Sequence, residues 1–355
     1  MRALPSSAFI SGACERSCAP FTFAYRHWRV AAASLAGLAV MGCAGPTLAS
    51  TDQVATELSP IEVFQDREAR LYAIGYRLAT ANAPYCDRTE ATIGLLLHDI
   101  RAYGQPDAIR TILGLTGDIG VQAIAAGSPA NQTGLSQNDT LLAIDDIPLV
   151  DEIGRTKDWQ RAAALQTAIA ASGADGEVAL RWRNKAGEEY SAVIPTIHTC
   201  ASTFELLSDD AGAAADGKRV LVGADFPGFA YPDDEFAAAL AHEMAHNLLG
   251  HIDYLARAGK GDNRGRNSER DADRLMPWLL ANASYDPSAA SRMMRKYGPR
   301  YGGGLLRDRS HDGWDERVEL IEAEVEKIKA LGWENGSNSI DWRTYFKPLL
   351  DQNTD

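Results

Sequence analysis

The chain has 355 residues, 45% of them hydrophobic, with 48 acidic against 35 basic side chains and a net charge of −13. That composition is ordinary for a globular protein, and the length is enough for two domains or more. The acidic balance speaks against non-specific nucleic-acid binding, which needs cations to replace the counterions of a phosphate backbone.

Residues 1–43 are expected to lie outside the fold as a lipoprotein signal peptide. Arg26, His27 and Arg29 precede an apolar run over 30–41 that is too short to span a bilayer and suits the core of a signal peptide. The run ends in Val40-Met41-Gly42-Cys43. This resembles the bacterial lipobox, in which the cysteine is lipidated and becomes the mature N-terminus. More than one acyl chain on Cys43 would anchor the protein stably to a membrane. Ala44 in the next position implies, by the same resemblance, an outer-membrane lipoprotein facing the periplasm. The alternative is cleavage after Ala49, which releases a soluble periplasmic protein. The long stretch before Val30 leaves room for a start downstream of Met1. Residues 44–58 are read as a polar, flexible spacer. Cys14 and Cys18 leave with the leader, so Cys86 and Cys200 remain as an even pair in an oxidising compartment. They are expected to form a disulfide, with two buried thiols as the alternative. No C-x-x-C pattern marks them as metal ligands.

Over 59–82, Ile61, Phe64, Leu71, Ile74 and Leu78 recur at helical spacing with charged residues between them. One amphipathic helix, part of a segment 59–90 belonging to the C-terminal domain, is predicted to pack on it. The stretch 91–197 has a different grammar, with short apolar runs between turns. Strands are expected at 119–124 and from 139 into a turn near 147, a helix at 158–171, and a hairpin of 177–182 with 189–194 around Asn184-Lys185-Ala186-Gly187. The order of strand, Gly127-Ser128-Pro129-Ala130, Thr133-Gly134-Leu135, Asn138-Asp139 and apolar strand resembles a PDZ domain of the bacterial periplasmic-protease kind. That resemblance implies a groove that takes a C-terminal peptide as an extra strand, with its carboxylate held near residues 115–118. The alternative is a PDZ frame used only as a spacer or lid. Cys86 and Cys200 flank the segment, so a bond between them would clamp the neck of an inserted domain.

Downstream, short strands are expected at 204–207 and 219–223. The stretch 234–251, DEFAAALAHEMAHNLLGH, then carries His242, Glu243 and His246 in an H-E-x-x-H pattern among good helix formers. Asp233 and Asp234 suit the start of a helix and Gly250 its end. Histidines four apart on a helix share a face, roughly 6 Å apart, within reach of one metal ion. From the next position, Glu243 can take a proton from water at that metal. A catalytic zinc takes three protein ligands. Glu269, in 267–290, would complete a His2Glu set for one zinc per chain. Asp273 lies one turn further and can accept the second N–H of a ligand histidine, with His242 the expected partner. His251 is nine residues from His242, which on a continuous helix puts it on the opposite side, so it is not expected to be a ligand. A glycine-rich loop is predicted at 259–266, another at Gly302-Gly303-Gly304, and a helix over 317–331 with Val318, Ile321, Val325 and Ile328 on one stripe.

AALAHEMAHNLLGH, SERDADRL and YDPSAA together resemble the HtpX/CAAX-prenyl-endopeptidase family of zinc metallopeptidases, closest to its soluble periplasmic branch. The resemblance covers roughly 200–330. It implies an α+β chain: a mainly helical zincin-like (gluzincin) domain with a small sheet, over 198–335, beside the PDZ-like β-rich domain, with 336–355 as a tail. It likewise makes Glu269 the third zinc ligand. The family also carries a histidine and an arginine just before the next helix. Here these are His311 and Arg317, with Asp312 where the family usually has proline. His311 is the candidate second donor to the oxyanion, with Tyr285 or Tyr301 in reserve, and Arg317 is expected to brace the corner by pairing with a carboxylate. The same resemblance makes Val220, Leu221 and Val222 an edge strand that binds substrate by strand addition, or else a plain core strand. The expected activity is zinc-dependent endopeptidase action on peptide or protein substrates of the bacterial envelope, with Glu243 as general base. A non-catalytic PDZ adaptor or chaperone on a peptidase frame is the rival.

Overall fold

A computed structural model describes residues 59–149, 160–259, 261–301, 312–333 and 339–350, all within one compact unit, Thr56–Asp355. The leader with Cys43, the Gly302–Gly304 run and His311 lie outside the described residues. The fold is α+β, and its core divides. One apolar cluster runs from Ile93 to Ile194, and another joins Leu71, Phe204, Val220, Phe236, Leu240, Leu275, Met293 and Ile321.

Helix α1 (Pro60–Asn82) starts at Ser59, whose backbone N–H and hydroxyl both donate to Glu62 (2.8 and 2.7 Å). Pro60 needs no N–H there. After α1 come β1 (Thr89–Thr92), β2 (Leu95–Asp99), α2 (Pro106–Leu113), β3 (Ile119–Ile124), β4 (Thr140–Ile144), β5 (Ile147–Pro148), α3 (Arg161–Ser172), β6 (Glu177–Arg183), β7 (Glu189–Pro195) and β8 (Ile197–Cys200). A sheet in the order β2-β3-β4-β6-β7, with β5 paired to β4, carries the first core. Its β6–β7 hairpin closes through Asn184 and Gly187, whose φ of 87° favours glycine. The chain enters this region along β1 and leaves along β8, which pair antiparallel with Thr89 opposite Cys200. Cys86 and Cys200 are disulfide-bonded there, with Cα atoms 5.6 Å apart.

β3, just after residues 115–118, is flanked by β2 on one side and β4 on the other, so it has no open edge. The edge strands are β2 and β7, and α3 lies along β2. The Gln166 side chain of α3 accepts from the Leu97 N–H (3.0 Å) and donates to the Leu95 carbonyl (2.8 Å). A side-chain amide thus makes the hydrogen bonds that a peptide unit of an added strand would make.

The remaining strands, β9 (Thr203–Leu207), β10 (Ala213–Ala215) and β11 (Arg219–Gly223), form a three-stranded sheet in the order β10-β11-β9. Val220, Leu221 and Val222 are therefore not an edge. They pair antiparallel with Ala215, Ala214 and Ala213 on one side and parallel with β9 on the other, and Val220 and Val222 are buried. Of the two edge strands, β9 packs against α1, and the other is β10. Its short polyalanine segment between Gly212 and Asp216 carries no alternating pattern by which a sequence reading would find it.

The helices are α4 (Asp233–Leu248), α5 (His251–Ala258), α6 (Asp262–Asn282), α7 (Ala289–Tyr301), α8 (Trp314–Ala330) and α9 (Trp342–Tyr345). α4 is buried along most of its length, which its alanines permit, and it packs against α6. Asp233 and Asp234 at its N-terminus are paired to Arg70 and Arg292. The expected 259–266 loop is shorter than predicted, because α6 begins at Asp262. Residues 339–350, expected as part of a tail, instead bury Trp342 and Phe346 in the second core, and Asp271 of α6 accepts from the Leu349 and Leu350 amides.

Candidate metal centre

α4 and α6 cross so that three side chains converge. His242 Nε2 and His246 Nε2 are 3.3 Å apart, Glu269 Oε2 is 3.5 Å from the first and Oε1 is 3.5 Å from the second. Both imidazoles are nearly buried, and their ring centres are 5.0 Å apart. Two imidazole nitrogens and one carboxylate oxygen within 4.8 Å of one another form a set that can hold a metal ion.

The groups behind the ligands are specific. Asp273, fully buried one turn after Glu269, faces His242 Nδ1 at 3.1 Å. Its other partner is Arg317, in the first turn of α8, which donates to both carboxylate oxygens (2.6 and 2.7 Å) and lies 3.8 Å from Glu269. Burial opposes the Asp273 charge, but the Arg317 guanidinium and His242 outweigh it and hold its carboxyl below the usual carboxylate range. Burial also disfavours a charged His242, yet Asp273 and Glu269 raise it to about 10 in the metal-free site. Burial and the neighbouring His242 push His246 the other way, to about 4.

No family model matches the chain, and no curated protein matches its sequence.

Glu243 points to the same region from the next position on α4. Burial pushes its carboxyl up to about 7, and it accepts a hydrogen bond from the backbone N–H of Ala215 on β10. The free edge of the small sheet therefore runs beside the candidate base. In the β10–β11 ladder, residues 212 and 216 are bonded to β11, so Ala213 and Ala215 turn their backbone groups to the open side.

Two features escaped the sequence reading. His251 is not on the far side of the helix. Gly250, at φ 65°, ends α4, and the turn carries His251 back until its Nδ1 is 3.0 Å from His246 Nδ1. Asp312, at the position where the resembled family usually has proline, is gripped by Arg270 (2.5 and 3.1 Å) and lies 3.5 Å from Arg266. Both arginines are on the helix that carries Glu269, so this ion pair ties the entry to α8 to the ligand helix. Among the reserve donors, Tyr285 is not brought to the site. It lies under Arg77, 4.0 Å from ring centre to guanidinium carbon, beside Asp233 and Asp234 at the start of α4. That is about 13 Å along the helix from His242. The side chain of Tyr301 and all of His311 fall outside the described residues.

Proposed function

We propose that the chain is a zinc-dependent endopeptidase. The observation that carries the reading is the convergence of His242, His246 and Glu269, with Asp273 behind one ligand and Glu243 beside them. The donor set fits zinc, which favours imidazole and carboxylate in a four-coordinate site with one position left open. Bound there, zinc would supply the Lewis acidity that makes water acidic and polarises a scissile carbonyl. The residues of the chain do the rest. Asp273 fixes the ring of His242 with Nε2 forward, and Arg317 holds Asp273 ionised in its buried position. Glu243, brought near neutrality by burial, accepts a proton from the attacking water and passes it to the leaving amine. An extended substrate would pair with the outward backbone groups of β10 that Glu243 leaves open, those of Ala213 and the Ala215 carbonyl, which takes the strand-binding role from Val220–Val222 to β10.

The resemblance to the HtpX/CAAX-prenyl-endopeptidase family supports the same class. Anchorage through Cys43 at the envelope belongs to this reading, and the Cys86–Cys200 disulfide suits an oxidising compartment. For the PDZ-like region, a spacer or lid is favoured over a peptide receptor, because Gln166 occupies the β2 edge.

The test is cleavage of casein by wild type and Glu243→Gln at matched zinc content. Cleavage by wild type alone, with about one zinc in each, is the expected result. Equal cleavage by both would remove Glu243 from the mechanism, and absence of zinc from wild type would remove the metal centre.

A further inference from the structure

The two candidate ligand histidines are backed by different groups. His242 has a carboxylate behind it, whereas His246 has a third imidazole, His251, with the two Nδ1 atoms 3.0 Å apart and the rings nearly edge-to-face at 78°. His251 is 1% exposed, and its Nε2 has no hydrogen-bond partner among the described residues. An inward-facing imidazole whose one polar contact among the described residues is directed at a candidate ligand ring has little reason to be there as packing alone.

We propose that His251 is the positioning residue for His246, accepting its Nδ1–H and so fixing the tautomer that presents Nε2 to the metal. The inference rests on the metal-centre reading above. Two imidazole Nδ1 atoms at hydrogen-bond distance must share one proton, since two protons would repel and none would leave two lone pairs opposed. A metal at His246 Nε2 needs the lone pair there, which leaves the proton of the neutral ring on Nδ1. His246 is then the donor, His251 Nδ1 the acceptor, and the proton of His251 sits on Nε2. Loading the site selects one tautomer in each of two rings.

The backbone is built for this contact. On an uninterrupted helix a residue five positions on is rotated by about 140° and cannot meet its partner. The left-handed Gly250 breaks α4 and restarts the chain as α5 with His251 in its first position. Asn247 holds the turn from the other side, accepting from the Gly217 N–H (2.7 Å) and donating to Ser202 (2.9 Å) and the Arg219 carbonyl (3.1 Å). The choice of a neutral acceptor also follows from charge. Glu243, Glu269 and Asp273 already surround the site, with the Arg317 guanidinium among them. A fourth carboxylate behind His246 would add buried negative charge with no further partner.

The test compares His251→Asn with His251→Leu in the full chain. The two replacements have nearly the same shape and leave the same void, but only asparagine offers an oxygen near the position of Nδ1. Zinc affinity is read by competition with a chromophoric chelator, and melting of the zinc-free forms serves as the structural control. The expected result is a 10- to 100-fold weaker zinc affinity for His251→Leu, substantial recovery in His251→Asn, and similar zinc-free melting of the two. Equal affinities in the two variants would overturn the assignment of His251 while leaving the metal centre standing. A wild type that binds no zinc would overturn the metal centre and this inference with it. A second measurement needs no variant to fold: long-range proton–nitrogen spectra of the zinc-loaded wild type should show His251 protonated on Nε2. Protonation on Nδ1 would overturn the proposal.

Discussion

Asp273 joins two jobs in one side chain. It receives His242 Nδ1 on one oxygen and is spanned by the Arg317 guanidinium across both. On the proposed reading the first contact orients a ligand, and the second compensates a buried charge, so Asp273→Asn should separate into two measurable losses. Zinc binding should weaken by about 10- to 100-fold, read by chelator competition. The zinc-free protein should also lose roughly 3 kcal/mol in denaturant unfolding, because Arg317 keeps its charge in a buried place without its main partner. Wild-type stability of the zinc-free variant would mean that Arg317 finds its compensation elsewhere. Residue-scale chemistry was the most legible part of the chain. His242, His246, Glu269 and Asp273 lie at helical spacings of four, so pattern alone brings each pair to one face. His251 failed because the same 100° step was carried through Gly250, and one left-handed glycine redirects everything after it. Asp312 failed for another reason: its partner Arg270 is 42 positions away, and no local pattern links them.

At the scale of elements, the sequence disclosed several strands as apolar runs and missed others, among them β2 in spite of its three leucines. β3, β4, β6 and β7 could be read as short apolar runs between turns, whereas β10 consists of three alanines whose role comes from its neighbours. Where β10 lies decides which strand edge is open, so the substrate edge was assigned to β11, the more hydrophobic strand, which is central for that very reason. Edge identity depends on register across long separations, and neither β2 nor β10 announces it. The neck of the β-rich region was better marked, because two cysteines had no other partners. The disulfide closes a loop of sequence separation 114 around this whole region and lies beside the β1–β8 pair. Cross-linking so long a loop removes much unfolded-chain entropy, nominally about 4–5 kcal/mol and commonly nearer 2–4 in practice. The double substitution Cys86→Ala/Cys200→Ala should therefore unfold at clearly lower denaturant while leaving zinc affinity within about twofold, since no ligand lies in the closed loop. Loss of zinc binding in step with stability would show that the neck and the metal centre are one cooperative unit.

Over the whole molecule, α1 is the element that joins the two regions, packing into the helical core and against β3 of the large sheet, and this was only half visible. Its apolar stripe was read as one packing face. Its polar residues, which a helical-wheel view sends to solvent, are the ties to the other parts. Arg67, Arg70 and Arg77 donate to the carbonyls of Ala224, Phe229, Tyr231, Ala283 and Ser284 on the helical side. Gln65 donates to Gln122 (3.0 Å) and Asn138 (2.9 Å) in the large sheet. Glu68 sits where the two regions meet, accepting from the Gln122 side chain and the Leu206 backbone with Glu205 nearby. Burial, reinforced by the Glu205 charge, outweighs those hydrogen bonds and lifts the Glu68 carboxyl from its ordinary 4.5 to about 7. The folded protein thus holds a proton that the unfolded chain releases near pH 4.5. Between about pH 4.5 and 7 the native state binds more protons, so the Glu68 contribution to stability falls as pH rises and is fully lost above 7. Replacing the acid by its uncharged isostere removes this dependence and keeps an oxygen for Gln122 and Leu206. Glu68→Gln should accordingly gain on wild type by on the order of 1–3 kcal/mol between pH 4.5 and pH 8, measured by denaturant unfolding at both. If the difference between the two proteins is the same at both pH values, Glu68 does not change charge in that window and the junction owes nothing to a held proton.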